Sequence, residues 1–175
     1  MNAGPKRKVM AAILFAALFA FDLFTKSLAV KALSDGRHVD LIKGVLEFYY
    51  IQNRGAAFGI FQNGTLILSI ISAVAVIAII IAYLRIPDGK KYLPLRIVLI
   101  FICAGAAGNL YDRIVLHYVR DFIYFSLIDF PIFNVADMYV TVSVFCLVFL
   151  LMFYYKDEDL QFAARKDSND SEPGK

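Results

Sequence analysis

Four long apolar runs decide most of what this chain can become. They cover about residues 9–33, 65–86, 93–112 and 135–155, and about 20 residues carry an α-helix across the hydrocarbon layer of a bilayer. Inside that layer every backbone N–H and C=O must find its partner within the element, which favours helices. Each run is therefore read as one transmembrane helix. A basic start (MNAGPKRK) before an apolar run is also the form of a cleavable signal peptide. The first run, however, continues well past the ~7–15 residues of a signal core. The composition agrees, because a chain that is 60% hydrophobic and only 19% charged has less charge than soluble domains carry. The expected fold class is an all-α integral membrane protein with four transmembrane helices and a small extracytoplasmic β-containing segment.

That segment lies within residues 34–64. From Val39 to Ile51 it is rich in β-branched and aromatic residues, broken by Gly36 and Gly44. It is too polar to span and too apolar for a free loop. Short β-structure at the membrane surface is expected, with Phe48, Tyr49 and Tyr50 at headgroup level. A second polar stretch covers 113–134. The 1–155 region is read as one membrane domain, and the charged, apolar-poor tail 156–175 as disordered. No internal repeat is apparent.

Lys and Arg fix the expected orientation. Lys6, Arg7 and Lys8 at the N-terminus, Arg85, Lys90, Lys91 and Arg96 around the second turn, and Lys156, Arg165, Lys166 and Lys175 in the tail share one side. Lys31, Arg37, Lys43, Arg54, Arg113 and Arg120 fall on the other. The richer side, in short flanks, is cytoplasmic by the positive-inside rule. Both termini are then inside, and 34–64 and 113–134 outside. The net charge of +3 reports topology rather than a nucleic-acid partner. Cys103 and Cys146 lie in apolar runs and His38 and His117 are far apart, so neither a disulfide framework nor a metal site is expected.

Chemistry concentrates between residues 105 and 137, which carry Asp112, Asp121, Asp129, Asp137, Arg113, Arg120, Asn109 and Asn134. Ionisable groups kept at a membrane edge are by default functional. Each also has a bland reading. Asp22 and Lys26, four apart on the first helix, form a structural ion pair. Gly105, Asn109 and Asp112 share a helix face, as do Asn109 and Arg113, and the small residues 104–108 allow close helix packing. Asn134 is an N-cap with Asp137 at the third helical position. Asp121 and Arg120 make a solvated pair, and Asp129 starts a turn. The sharper reading is two carboxylates sharing one proton, one drawing a proton from water while the other polarises a peptide carbonyl. No Ser-Lys, Ser-His or Cys-His pair is better placed. The residues alone do not choose which two of the four acids pair.

The blocks DLFTK at 22–26, NRGAAFG at 53–59, GAAGNLYDR at 105–113, DF at 121–122 and FNVAD at 133–137 resemble, in order, those of bacterial lipoprotein signal peptidase (signal peptidase II). The resemblance implies a membrane aspartic endopeptidase with Asp121 and Asp137 as its catalytic pair, leaving Asp129 out. It implies that Asn53, Gly105, Asn109, Arg113 and Asn134 line the substrate site, and that Asp22, Lys26 and Asp112 support it. The implied substrate is a prolipoprotein whose cysteine already carries diacylglycerol, cleaved on the amino side of that cysteine. It further implies no cofactor, inhibition by globomycin, contact with membrane lipid, and a bacterial inner-membrane location with the site at the outer face. The 34–64 segment would clamp substrate from above. The rival reading is a non-enzymatic membrane protein, a proton-conducting or assembly subunit using the same acids.

Overall fold

The computed structural model describes residues 4–55 and 64–164. Residues 56–59 of the NRGAAFG block and 165–175 of the tail lie outside the described residues. The element order is α1 (Pro5–Leu33), β1 (His38–Ile42), β2 (Leu46–Asn53), α2 (Thr65–Arg85), α3 (Leu93–Leu116), β3 (Val119–Tyr124), α4 (Val135–Phe149) and α5 (Asp157–Ala164). Helices α1 to α4 are long and apolar enough to cross a membrane, α4 with the π-helical turn Leu150–Tyr154 that continues it. The chain is a multi-pass membrane protein.

Helix α3 is the axis. Of its apolar window 61% is buried, against 6%, 0% and 11% for α1, α2 and α4. The other three therefore pack on α3 and turn Ile70, Ile77, Val142 and Phe145 outward, which suits a lipid surround and would be untenable in water. The small residues of α3 make the close approach possible. A Cβ on Gly105 would collide with the Ala136 carbonyl and the Val140 side chain of α4, and one on Gly108 with the Asp22 carboxylate of α1.

At one end of the bundle lies a three-stranded antiparallel sheet in the order β1-β2-β3. The β1–β2 hairpin turns through Gly44 at φ 72°, a left-handed conformation that favours glycine. Strand β3, not foreseen within 113–134, begins because α3 stops at His117, held at φ 64°. Helix α3 itself runs four residues past the expected end at 112, so Arg113 is helical.

At the opposite end the tail differs from the expected disorder. Residues 157–164 form α5, which folds back under the α2–α3 turn. Lys91 pairs with Asp159 at 2.6 Å, the Tyr92 hydroxyl donates to the Asp159 carbonyl, and Phe162 meets Tyr92 edge-on. Three acids in the first turn of α5 complement its dipole. At the same end, buried Arg96 donates to the carbonyls of Ile86 and Pro87 at 3.1 and 2.6 Å, and Arg7 pairs with Asp88.

Candidate active site

The start of α4 is a reciprocal cap. Asn134, in extended conformation, accepts the Asp137 N–H on its Oδ1 at 3.1 Å, and Asp137 Oδ2 accepts the Asn134 N–H at 3.0 Å. The capping reading of these residues is correct. It also leaves the second oxygen of Asp137 available: Oδ1 accepts from Asn109 Nδ2 of α3 at 2.7 Å.

Strand β3 brings in Asp121, which is only 2% exposed. It is not the solvated partner of Arg120, because neighbours on a strand point to opposite faces. Asn53 on β2 pairs with Val119 in register, so it sits diagonally across from Asp121 on the same face. Asn53 Nδ2 donates to Asp121 Oδ2 at 2.8 Å, and Asn134 Nδ2 donates to Oδ1 at 2.6 Å. The same Asn134 nitrogen lies 3.1 Å from Asn109 Oδ1. Asp121 and Asp137 are thus joined through two asparagine amides. Burial, and then the nearby Asp137 charge, push the Asp121 carboxyl up to about 7, which is the behaviour of an acid that keeps its proton near neutrality.

Both acids, with Asn53, Asn109 and Arg113, line a cavity of about 600 Å³. Its remaining walls are largely apolar: Phe125, Phe130 and Phe133 on the segment after β3, and Met138 and Val142 on the outer face of α4. The Arg113 Nη1 lies 3.4 Å from the Ser72 hydroxyl of α2. One pocket therefore combines carboxylates, amides and a guanidinium with a largely apolar lining. Among the described residues no group of three or more His, Cys, Asp or Glu is arranged to hold a metal ion.

Behind the pocket wall lies a buried charge cluster. Lys26 Nζ is 2.8 Å from Asp22 Oδ2, 3.5 Å from Asp112 Oδ2 and 2.8 Å from Asn109 Oδ1. Asp112 binds the Arg120 guanidinium at 2.6 and 3.1 Å and the Arg120 backbone N–H at 3.1 Å. Asp22 Oδ1 accepts the Ala136 N–H at 3.0 Å. Buried charges are tolerated when paired and hydrogen-bonded, and here two acids meet two bases. Each supporting acid anchors the backbone one residue before a cavity carboxylate: Asp112 at Arg120, Asp22 at Ala136.

Two of the residues expected to line the substrate site do not border this cavity. Gly105 faces the Ala136 backbone in the α3–α4 contact, and Asn134 is fully buried behind the two acids. Asp129, with φ 47°, accepts from the Tyr124 hydroxyl at 2.7 Å and is not part of the lining. Sequence reasoning missed the aromatic wall and the Asp112–Arg120 pair. The alternation through Val119, Asp121 and Ile123 was the available signal for the strand that creates both.

The family description that matches is signal peptidase (SPase) II, over residues 14–153. A protein of Brevibacillus brevis named lipoprotein signal peptidase is 44% identical over 132 residues, covering 75% of this chain and 87% of its own. Its namesake in Streptococcus thermophilus is 40% identical over 153 residues, 87% and 97% of the two chains. A solved structure described as a bacterial membrane enzyme superposes with a TM-score of 0.74 at 27% identity, covering 85% of this chain and 92% of that one. The matched span runs from within α1 into the π-helical turn and so takes in all the acids and amides of the pocket and its supporting cluster. The chain belongs to the signal peptidase II family.

Proposed function

We propose that this protein is a membrane aspartic endopeptidase that removes the signal peptide from diacylglyceryl-modified prolipoproteins, cleaving on the amino side of the lipidated cysteine. The observation that carries this is a pair of carboxylates, buried Asp121 and half-buried Asp137, on the wall of one cavity. The Asp137 charge is felt at Asp121 and raises its carboxyl, so the two do not both ionise easily. The ionised one takes a proton from water, whose oxygen attacks the scissile carbonyl. The protonated one donates to that carbonyl oxygen, and the proton taken from water is then delivered to the leaving nitrogen. Family membership supports the substrate class. The pocket suits it too, since a lipid-modified cysteine brings a peptide and acyl chains to the same membrane edge, and the cavity lining combines polar groups with a largely apolar surface. Arg113, Asn53 and Asn109 hold the peptide in line.

In this reading both termini are cytoplasmic and the sheet and cavity are at the outer face of the inner membrane, following the Lys/Arg asymmetry. Globomycin, a cyclic peptide inhibitor of this family's reaction, is expected to occupy the same cavity.

The test is cleavage of a lipid-modified prolipoprotein by matched amounts of purified wild type, Asp121→Asn, Asp137→Asn, the double variant and Asp129→Asn. Groups that act as one unit are strongly non-additive. Each single variant is therefore expected to be about as inactive as the double, with Asp129→Asn active. Substantial turnover by either single variant would sink the aspartic mechanism.

A further inference from the structure

Lys26 is fully buried where α1, α3, β3 and α4 meet. Its ammonium has three donors and no acceptor, and Asp22 Oδ2, Asn109 Oδ1 and, more distantly, Asp112 Oδ2 face it. An ammonium cannot accept from an amide NH₂, so the atom of Asn109 that faces Lys26 has to be the oxygen. The NH₂ is then left facing Asp137 Oδ1, at 2.7 Å. Asn134 Nδ2, 3.1 Å from the same Asn109 oxygen, acts in the same sense.

We infer that Lys26 is a positioning residue for the reaction: it holds the Asn109 amide in the orientation that donates to Asp137, and so keeps the carboxylate pair in its singly ionised form. This rests on the peptidase reading above. Without the ammonium, only the longer Asn134 contact at 3.1 Å still holds the Asn109 oxygen, and Asn109 is freer to turn its carbonyl toward Asp137. Two oxygens facing each other are stable only if Asp137 carries a proton. Loss of the positive charge acts in the same direction, since Lys26 favours the ionised form of Asp121 as well. Both effects move the working, half-protonated state of the pair to higher pH.

The other charges around Lys26 are Asp22 on α1, Asp112 on α3, Arg120 beside Asp121 on β3, and Asp137 on α4; Arg113 on α3 faces the cavity side. Removing Lys26 alone would leave Asp22 and Asp112 with only Arg120 to balance them, and a buried unpaired charge is strongly destabilising. The informative variant is therefore Asp22→Asn/Lys26→Met, with Asp22→Asn as its reference, in the full-length protein.

The measurement is kcat and KM for a lipid-modified prolipoprotein across pH, with a melting curve to show that each variant is folded. Relative to Asp22→Asn, the double variant should lose about tenfold or more in kcat with little change in KM. Its pH–activity bell should move to higher pH by about one unit. Lys26→Arg alone keeps the charge but not the reach of a single ammonium. It is expected to leave the bell in place and lower kcat at least about fivefold. A folded double variant with the kcat and bell of Asp22→Asn would overturn the inference, reducing Lys26 to a structural ion pair. If the double variant does not fold, a pH bell displaced by Lys26→Arg, which keeps both the charge and a donor toward the Asn109 oxygen, would overturn it equally. Wild-type protein that cleaves nothing at any pH refutes instead the peptidase reading beneath it.

Discussion

The two oxygens of Asp137 have different partners, one in the cap of α4 and one facing α3. This is why the capping reading and the chemical reading of that residue were both available from FNVAD and neither excludes the other. Asp121 is the opposite case: beside Arg120 in sequence it looks like half of a surface pair, and only strand geometry turns the two apart. Its buried carboxyl also makes a stability prediction. Its pKa is raised in the folded chain, so its contribution is most favourable below the unfolded value of 3.8 and is lost as pH climbs through about 7. Asp121→Asn removes that pH-dependent cost. The melting temperature of the variant minus that of wild type, measured in detergent, should therefore become more positive from pH 4.5 to pH 8.5. A difference that stays flat would mean that Asp121 is not held protonated by its surroundings.

Among the elements, the α3–α4 contact has the narrowest tolerance. Gly105→Ala puts a methyl group against the Ala136 carbonyl, one residue before Asp137, and backbone cannot yield as a flexible side chain would. Overpacking of this kind costs about 1–3 kcal/mol. The expected result is a lower melting temperature together with at least a tenfold fall in kcat/KM. If Gly105 instead lined the substrate site, the same change would raise KM and leave the melting temperature alone.

The four spans were legible because a bilayer imposes one length and one polarity on every crossing element. The close-packing glycines and the cap of α4 were legible because both are local. Strand β3 was not, since its pairing depends on β2, more than sixty residues earlier in the chain. Helix α5 was missed because its composition, rich in charge, reads as solvated until Lys91 and Tyr92 supply a surface for it. The aromatic wall was missed for the same reason as β3, because Phe133 reaches the pocket through a bridge to Ile123.

At the scale of the whole molecule, the proposed reaction depends on which way the bundle faces. Reporter fusions at Gly89 and at the C-terminus are expected to read cytoplasmic, and one near Arg37 to read outside. A cytoplasmic signal at Arg37 would put the cavity on the wrong side for exported substrates. The cluster that holds the pocket draws on α1, α3, β3 and α4, and that distribution bears on how the protein is made. A ribosome delivers Asp22 and Lys26 first, four residues apart and able to neutralise each other while they wait. Asn109 and Asp112 follow, then Asp121, and Asp137 emerges only with the final crossing segment. On the proposed reaction, the newborn chain is therefore chemically silent until its final crossing segment is made. Its cutting power would arrive in a single late step, when α4 brings Asp137 to the pieces already made.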